Sequence, residues 1–134
     1  MSQAVTRKSR LGQKHFSYLV LSVILLQGCN IPFSDGCDDR IATEAASSDG
    51  KYVATLYIRN CGATTDYSSI VSIRERTSKF DGDADQNIVF VVKGRPDIAV
   101  KWASPSEISV QCRGCGSGDI FKHEASWNGV RISY

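Results

Sequence analysis

The chain has 134 residues, 42% of them hydrophobic and 22% charged, with a formal net charge of +2. That length suits one domain, and that charge excludes a strongly basic nucleic-acid binder. The charge is also unevenly placed: Arg7, Lys8, Arg10 and Lys14 all precede the first acid, Asp35. Residues 29–134 carry twelve cations and fourteen acids, a net −2, so neither nucleic acid nor bulk attraction to a membrane is implied.

The four leading cations are followed by an eleven-residue apolar run from Phe16 to Leu26. A membrane-crossing helix needs roughly 20 apolar residues, so the run is too short for a stable span. A basic segment, a short apolar segment and a small residue before a cut site describe an export signal. Leu26-Gln27-Gly28-Cys29 resembles a bacterial lipobox. The resemblance implies a cut between Gly28 and Cys29 and a diacylglycerol on the Cys29 thiol. The alternative is an ordinary secretory signal, with Cys29 as one more disulfide partner. Asn30 stands where an aspartate would resemble an inner-membrane retention signal. It points instead to the outer membrane, facing the periplasm, if the cell is Gram-negative. The expected organisation is a signal peptide over 1–28, a lipidated tether over 29–36 and a single domain over 37–134. Residues 30 to 36 reach at most about 24 Å.

Setting Cys29 aside leaves Cys37, Cys61, Cys112 and Cys115, an even number in a compartment that oxidises thiols. Three pairings are possible. The favoured one joins Cys37 to Cys61 and Cys112 to Cys115. Closing the first loop contributes roughly 3.5 kcal/mol on the chain-entropy model, the second about 2 kcal/mol before strain. Cys112-Arg-Gly-Cys115 also has the spacing of a redox pair. Thioredoxin-like pairs sit at a helix N-terminus, whose dipole lowers the thiol pKa. Here Gly-Ser-Gly follows, which breaks helices. Zinc would need four ligands, either all four cysteines or Cys112, Cys115 and His123 with one more. A structural disulfide in a turn is the favoured reading.

The remainder reads as strands. Lys51–Arg59 alternates, with Tyr52, Ala54, Leu56 and Ile58 on one face and Val53, Thr55 and Tyr57 on the other. Ser48-Asp49-Gly50 before it is turn chemistry. Ser69–Arg74 is a second strand, and Ile88–Val92 is continuously apolar, as expected of burial on both faces. Ile98–Trp102, Glu107–Gln111, Ile120–His123 and Val130–Tyr134 follow, separated by Gly, Pro, Ser and Asn turns. No segment after residue 40 carries helical apolar spacing. The expected fold is all-β: a small antiparallel β-sandwich or a curled meander of seven to eight strands. "SSDGKYVATLYI" and "IAVKWASPSEISV" are similar to pieces of propeller blades, but the chain is too short for a propeller.

Asp81, Asp83 and Asp85 are spaced as in calcium loops, where alternate side chains converge on one ion. Gln86 and Val92 occupy the places where an EF-hand needs Gly and Glu, so an acidic turn is preferred and no metal is assigned. Catalysis finds no motif: there is no G-x-S-x-G, no H-E-x-x-H and no phosphate loop, and His123 is the single histidine after the leader. No cofactor is implied. Asn60-Cys-Gly-Ala-Thr-Thr-Asp-Tyr67 is the densest unusual stretch. Asn60, Gly62, Thr64 and Thr65 could form a presented binding loop or only a disulfide-stapled corner.

Ser48-x-Gly50-Lys51-Tyr52, the phrase Asn60–Thr65, and Val100-x-Trp102 followed by Glu107-Ile108-Ser109 resemble a family of small exported bacterial proteins, often lipoproteins, marked by C-G-A-T-T. The resemblance covers roughly residues 37 to 134 and implies a domain type without an activity. It also implies that Cys37 and Cys61 belong to the shared core and that the C-R-G-C pair is a local addition. The leading expectation is a lipid-anchored, non-catalytic binding or envelope-interaction domain with an envelope protein partner. The alternatives are a periplasmic inhibitor or accessory protein of a partner enzyme, and a redox or zinc protein using Cys112 and Cys115. No motif of the lipoproteins that inhibit lysozyme is present.

Overall fold

A computed structural model describes residues Gly36–Tyr134. Residues 1–35, with the expected signal peptide, Cys29 and the expected tether up to Asp35, lie outside the described residues. The strands are β1 (Asp38–Ala46), β2 (Tyr52–Asn60), β3 (Ser68–Glu75), β4 (Ile88–Lys93), β5 (Asp97–Ser104), β6 (Glu107–Arg113), β7 (Ile120–His123), β8 (Ser126–Trp127) and β9 (Val130–Ser133). Among the described residues one 3-10 turn, Asp85–Asn87, precedes β4. No helix among the described residues is long and apolar enough to cross a membrane.

Two sheets carry the all-β architecture, ordered β1-β2-β3-β4-β7 and β5-β6-β9-β8. Their separation makes the fold a sandwich rather than a meander curled on itself. Each pairing is antiparallel except β6 with β9, where Ile108 lies beside Ile132 in a parallel ladder. Trp127-Asn-Gly-Val130 turns β8 into β9, with Asn128 at φ 44° and Gly129 at φ 80°. Two positive φ angles are what a tight two-residue hairpin demands, and Asn-Gly supplies them with little strain.

The alternation in β2 sorts its side chains as expected. Ala54 and Leu56 join Val71, Ile73, Phe90 and Val92 against Ile108, Val110, Val130 and Ile132 of the other sheet. Tyr57 points the opposite way and forms a second cluster with Ile70 and Ile88. The loop after β3 covers that face. Phe80 meets the Tyr57 ring edge-on at 5.1 Å, and the Tyr57 hydroxyl donates to the Gly82 carbonyl at 3.0 Å. β4 is thus buried on both faces, as its continuous apolar run requires.

The sequence pattern missed β1 and the two-residue β8. β1, Asp-Asp-Arg-Ile-Ala-Thr-Glu-Ala-Ala, is mostly exposed and lacks apolar alternation. It is an edge strand held by the β2 ladder and by ion pairs on its outer face. Asp39 accepts two bonds of 2.7 Å from Arg59, and Glu44 accepts from Arg74 at 2.9 Å and Thr55 at 3.1 Å. The β1–β2 turn is closed by Ser47 and Asp49. Ser47 Oγ donates to Asp49 at 2.6 Å, and Lys51 N–H donates to Asp49 at 3.1 Å. These bonds hold the Asp49 carboxyl below its ordinary pKa, the Ser47 bond most strongly.

Candidate binding cleft at the Cys37–Cys61 end

Asp38 lies opposite Asn60 and Arg40 opposite Ile58 in the β1–β2 ladder. These pairs share the inner face with Leu56 but lie at the open end of the sandwich. Cys37 and Cys61 continue that ladder by one rung, with Cα atoms 4.1 Å apart and the sulfurs at disulfide distance. A register shift between Ile41 and Thr43 then turns the strand, leaving Ile41 46% exposed at the rim.

The other wall comes from two turns that grip each other. Gly94 N–H donates to the Tyr67 carbonyl at 2.6 Å, and Ser69 Oγ donates to the Gly94 carbonyl at 2.8 Å. Gly94 has φ +78°, which lets the β4–β5 turn come this close. The turn delivers Arg95, whose guanidinium carbon lies 3.6 Å from the centre of the Tyr67 ring. Lys93 reaches the Asp66 carboxylate at 2.8 Å, and that bond raises the Lys93 pKa. Together Asp38, Arg40, Ile41, Ile58, Tyr67 and Arg95 enclose a cleft of about 360 Å³ with Asn60 at its side. Chemically this is an open recess with an aromatic face, two guanidinium groups and one carboxylate. It suits binding by stacking and ion pairing.

The presented loop divides on inspection. Asn60 lines the cleft, but its Oδ1 accepts from Gly62 N–H at 3.1 Å. Thr65 returns both its N–H and its hydroxyl to the Gly62 carbonyl, at 3.2 and 3.1 Å. Gly62, at φ +115°, permits the corner. Gly62, Thr64 and Thr65 do not line the cleft. They build the corner that carries Tyr67 to it. Tyr67, which ends the stretch singled out in the sequence, and Arg95, which the sequence pattern left unmarked, line the cleft. An aromatic just after the loop and an arginine in the β4–β5 turn were the only local signals.

The acidic loop is occupied otherwise. Asp81 accepts from the Asp83 N–H at 3.0 Å, Asp83 pairs with Arg59 at 2.8 Å, and Asp85 lies 3.7 Å from Lys122. No group of three or more His, Cys, Asp or Glu side chains among the described residues is placed to hold a metal ion. Arg59, bound by Asp39 and Asp83, has its pKa raised, chiefly through the Asp39 hydrogen bond.

Cys112 and Cys115 are also at disulfide distance, with Cα atoms 5.7 Å apart. The pair lies at the end of β6 and in the turn after it, and not at a helix N-terminus among the described residues. It lines a second, more apolar cleft of about 310 Å³ with Phe90, Val110, Ile120, His123 and Tyr134. His123 sits exposed at the rim, its ring centre 5.6 Å from that of Tyr134. Tyr134 donates its hydroxyl to the Glu124 carbonyl at 2.8 Å.

No family model, curated protein or solved structure matches the chain. What the fold and the site define is a small two-sheet β domain with two cysteine pairs at disulfide distance. Such pairs fit a protein exported to an oxidising compartment.

Proposed function

We propose that the chain is a bacterial lipoprotein, anchored to the cell envelope through acylated Cys29, whose β domain binds an envelope component without catalysing a reaction. The observation that carries the binding role is the stack of Arg95 on half-exposed Tyr67 at the mouth of the cleft. An exposed aromatic paired with a cation, built by two interlocked turns on a rigid sheet, is a recognition surface rather than a packing contact. The anchoring role is supported by the Leu-Gln-Gly-Cys phrase after a short apolar run and by its place before a disulfide-bonded domain. The resemblance to small exported proteins with a C-G-A-T-T phrase supports the same setting.

Two measurements test this reading. Radiolabelled palmitate should enter the wild-type chain in cells and be lost from Cys29→Ser; equal labelling of both removes the anchor. A photo-crosslinking side chain placed at position 67 should give adducts in intact cells that the same group at position 48 does not. Equal yields at the two ends remove the cleft as the binding surface.

A further inference from the structure

We propose that the occupant of this cleft is the phospholipid headgroup layer of the bilayer that holds Cys29, with Arg40 and Arg95 on lipid phosphates and Tyr67 and Ile41 at headgroup depth. The inference rests on the anchoring reading above and names the partner of the same site.

Covalent reach comes first. Only residues 30–36 separate Cys29 from Cys37, and they extend at most about 24 Å. The chain enters the domain at Cys37, which is joined to Cys61 beside the cleft. β1 has nine residues and is about 30 Å long, so seating the turns at its far end on the surface would lift Cys37 beyond that reach.

The two ends differ in the chemistry that a bilayer surface selects. Among the described residues the exposed large hydrophobic side chains are Ile41, Tyr67, Phe121 and Tyr134, and two of these four stand at the cleft. Tyrosine places an apolar ring and a polar tip at a membrane–water boundary. Guanidinium forms bidentate bonds with phosphate and is weakly hydrated, which suits a partly desolvated contact. Arg40 and Arg95 line the cleft against one acid, Asp38. The neighbouring acids Asp39 and Asp66 are held by Arg59 and Lys93. At the far end the turns offer Ser47, Ser48, Asp49, Gly50 and Ser104, Pro105, Ser106; the cations there, Lys51 and Arg76, stand beside Asp49 and Glu75, and no large apolar group is exposed. The net −2 of residues 29–134 gives no long-range attraction. Short-range contact after anchoring is therefore the mode this surface supports.

The test uses the acylated mature protein, reconstituted in vesicles of phosphatidylethanolamine and phosphatidylglycerol and, separately, in maltoside micelles that carry no phosphate. Amide exchange over 61–67 and 94–96 should slow about threefold or more in vesicles, while 48–51 and 104–106 stay unchanged. An Arg40→Glu, Arg95→Glu double variant should remain vesicle-bound and lose the protection. Vesicle-bound wild type that exchanges as fast as in maltoside overturns the contact and leaves the anchor standing. Protection that survives the double variant, or that appears only after an envelope protein fraction is added, also overturns it. Protein that stays in the aqueous phase overturns anchor and contact together.

Discussion

Trp102 of β5 donates its indole N–H to the carbonyl of Ala45 on β1 at 2.9 Å, tying the edge of one sheet to the edge of the other. Its ring also stacks with Tyr52, centres 6.3 Å apart. Trp102→Phe keeps an aromatic ring and removes the donor. The expected loss is about 1 kcal/mol of stability, with faster amide exchange confined to the Thr43–Ala46 half of β1. Urea unfolding and exchange mass spectrometry check both; unchanged exchange in that half would show that the ladder with β2 alone holds the edge.

Tyr57 is completely buried, and burial is the main cause that pushes its hydroxyl up to about 12. Unfolded tyrosine ionises near pH 10. Between pH 10 and about 12 the unfolded chain releases protons that the native chain keeps, so stability is full below pH 10 and falls as pH rises through that window. Tyr57→Phe should cost roughly 1–2 kcal/mol at neutral pH, because the Gly82 carbonyl loses its donor, and should shrink the alkaline loss. Thermal unfolding at pH 7, 10 and 11.5 compares the two chains. Parallel curves would mean that Tyr57 ionises no less readily in the native chain than in the unfolded one.

Gly82 is required for space rather than for backbone freedom. A Cβ added there would collide with the Asp39 carboxylate, which Arg59 holds by two hydrogen bonds of 2.7 Å. Gly82→Ala should destabilise by roughly 1–3 kcal/mol. Asp39→Ala removes the obstacle, so the double variant should cost clearly less than the sum of the single ones. Strict additivity in urea unfolding would refute the collision.

The two disulfides should differ in weight. Replacing Cys37 and Cys61 by serine should cost roughly 3 kcal/mol, because their loop is long; replacing Cys112 and Cys115 should cost less, about 2 kcal/mol or below. Calorimetry on both double variants checks the order.

Much of the sheet content was legible because the strands that build the core advertise it. β2 alternates cleanly, β4 is apolar up to Lys93, and Asn-Gly marks a turn before β9. β1 was not legible, since an exposed edge strand needs no apolar period and its ion-pair partners Arg59 and Arg74 lie in other strands. The parallel β6–β9 pairing was not legible either, because register between distant strands has no local signature. The cleft shows the same division. Asn60 stood out beside Cys61, but Tyr67 meets Arg95 only once two turns interlock through Gly94.

The Cys37–Cys61 bridge also has a mechanical consequence. A pull on the chain upstream of Cys37 does not load the first hydrogen bonds of β1, where a strand would begin to peel. The force passes through the bridge into Cys61, beside the end of β2, which lies between β1 and β3 in the five-stranded sheet. The exposed edge strand is therefore clamped at its N-terminal end, and a pull on the chain there would not unzip β1 from that end.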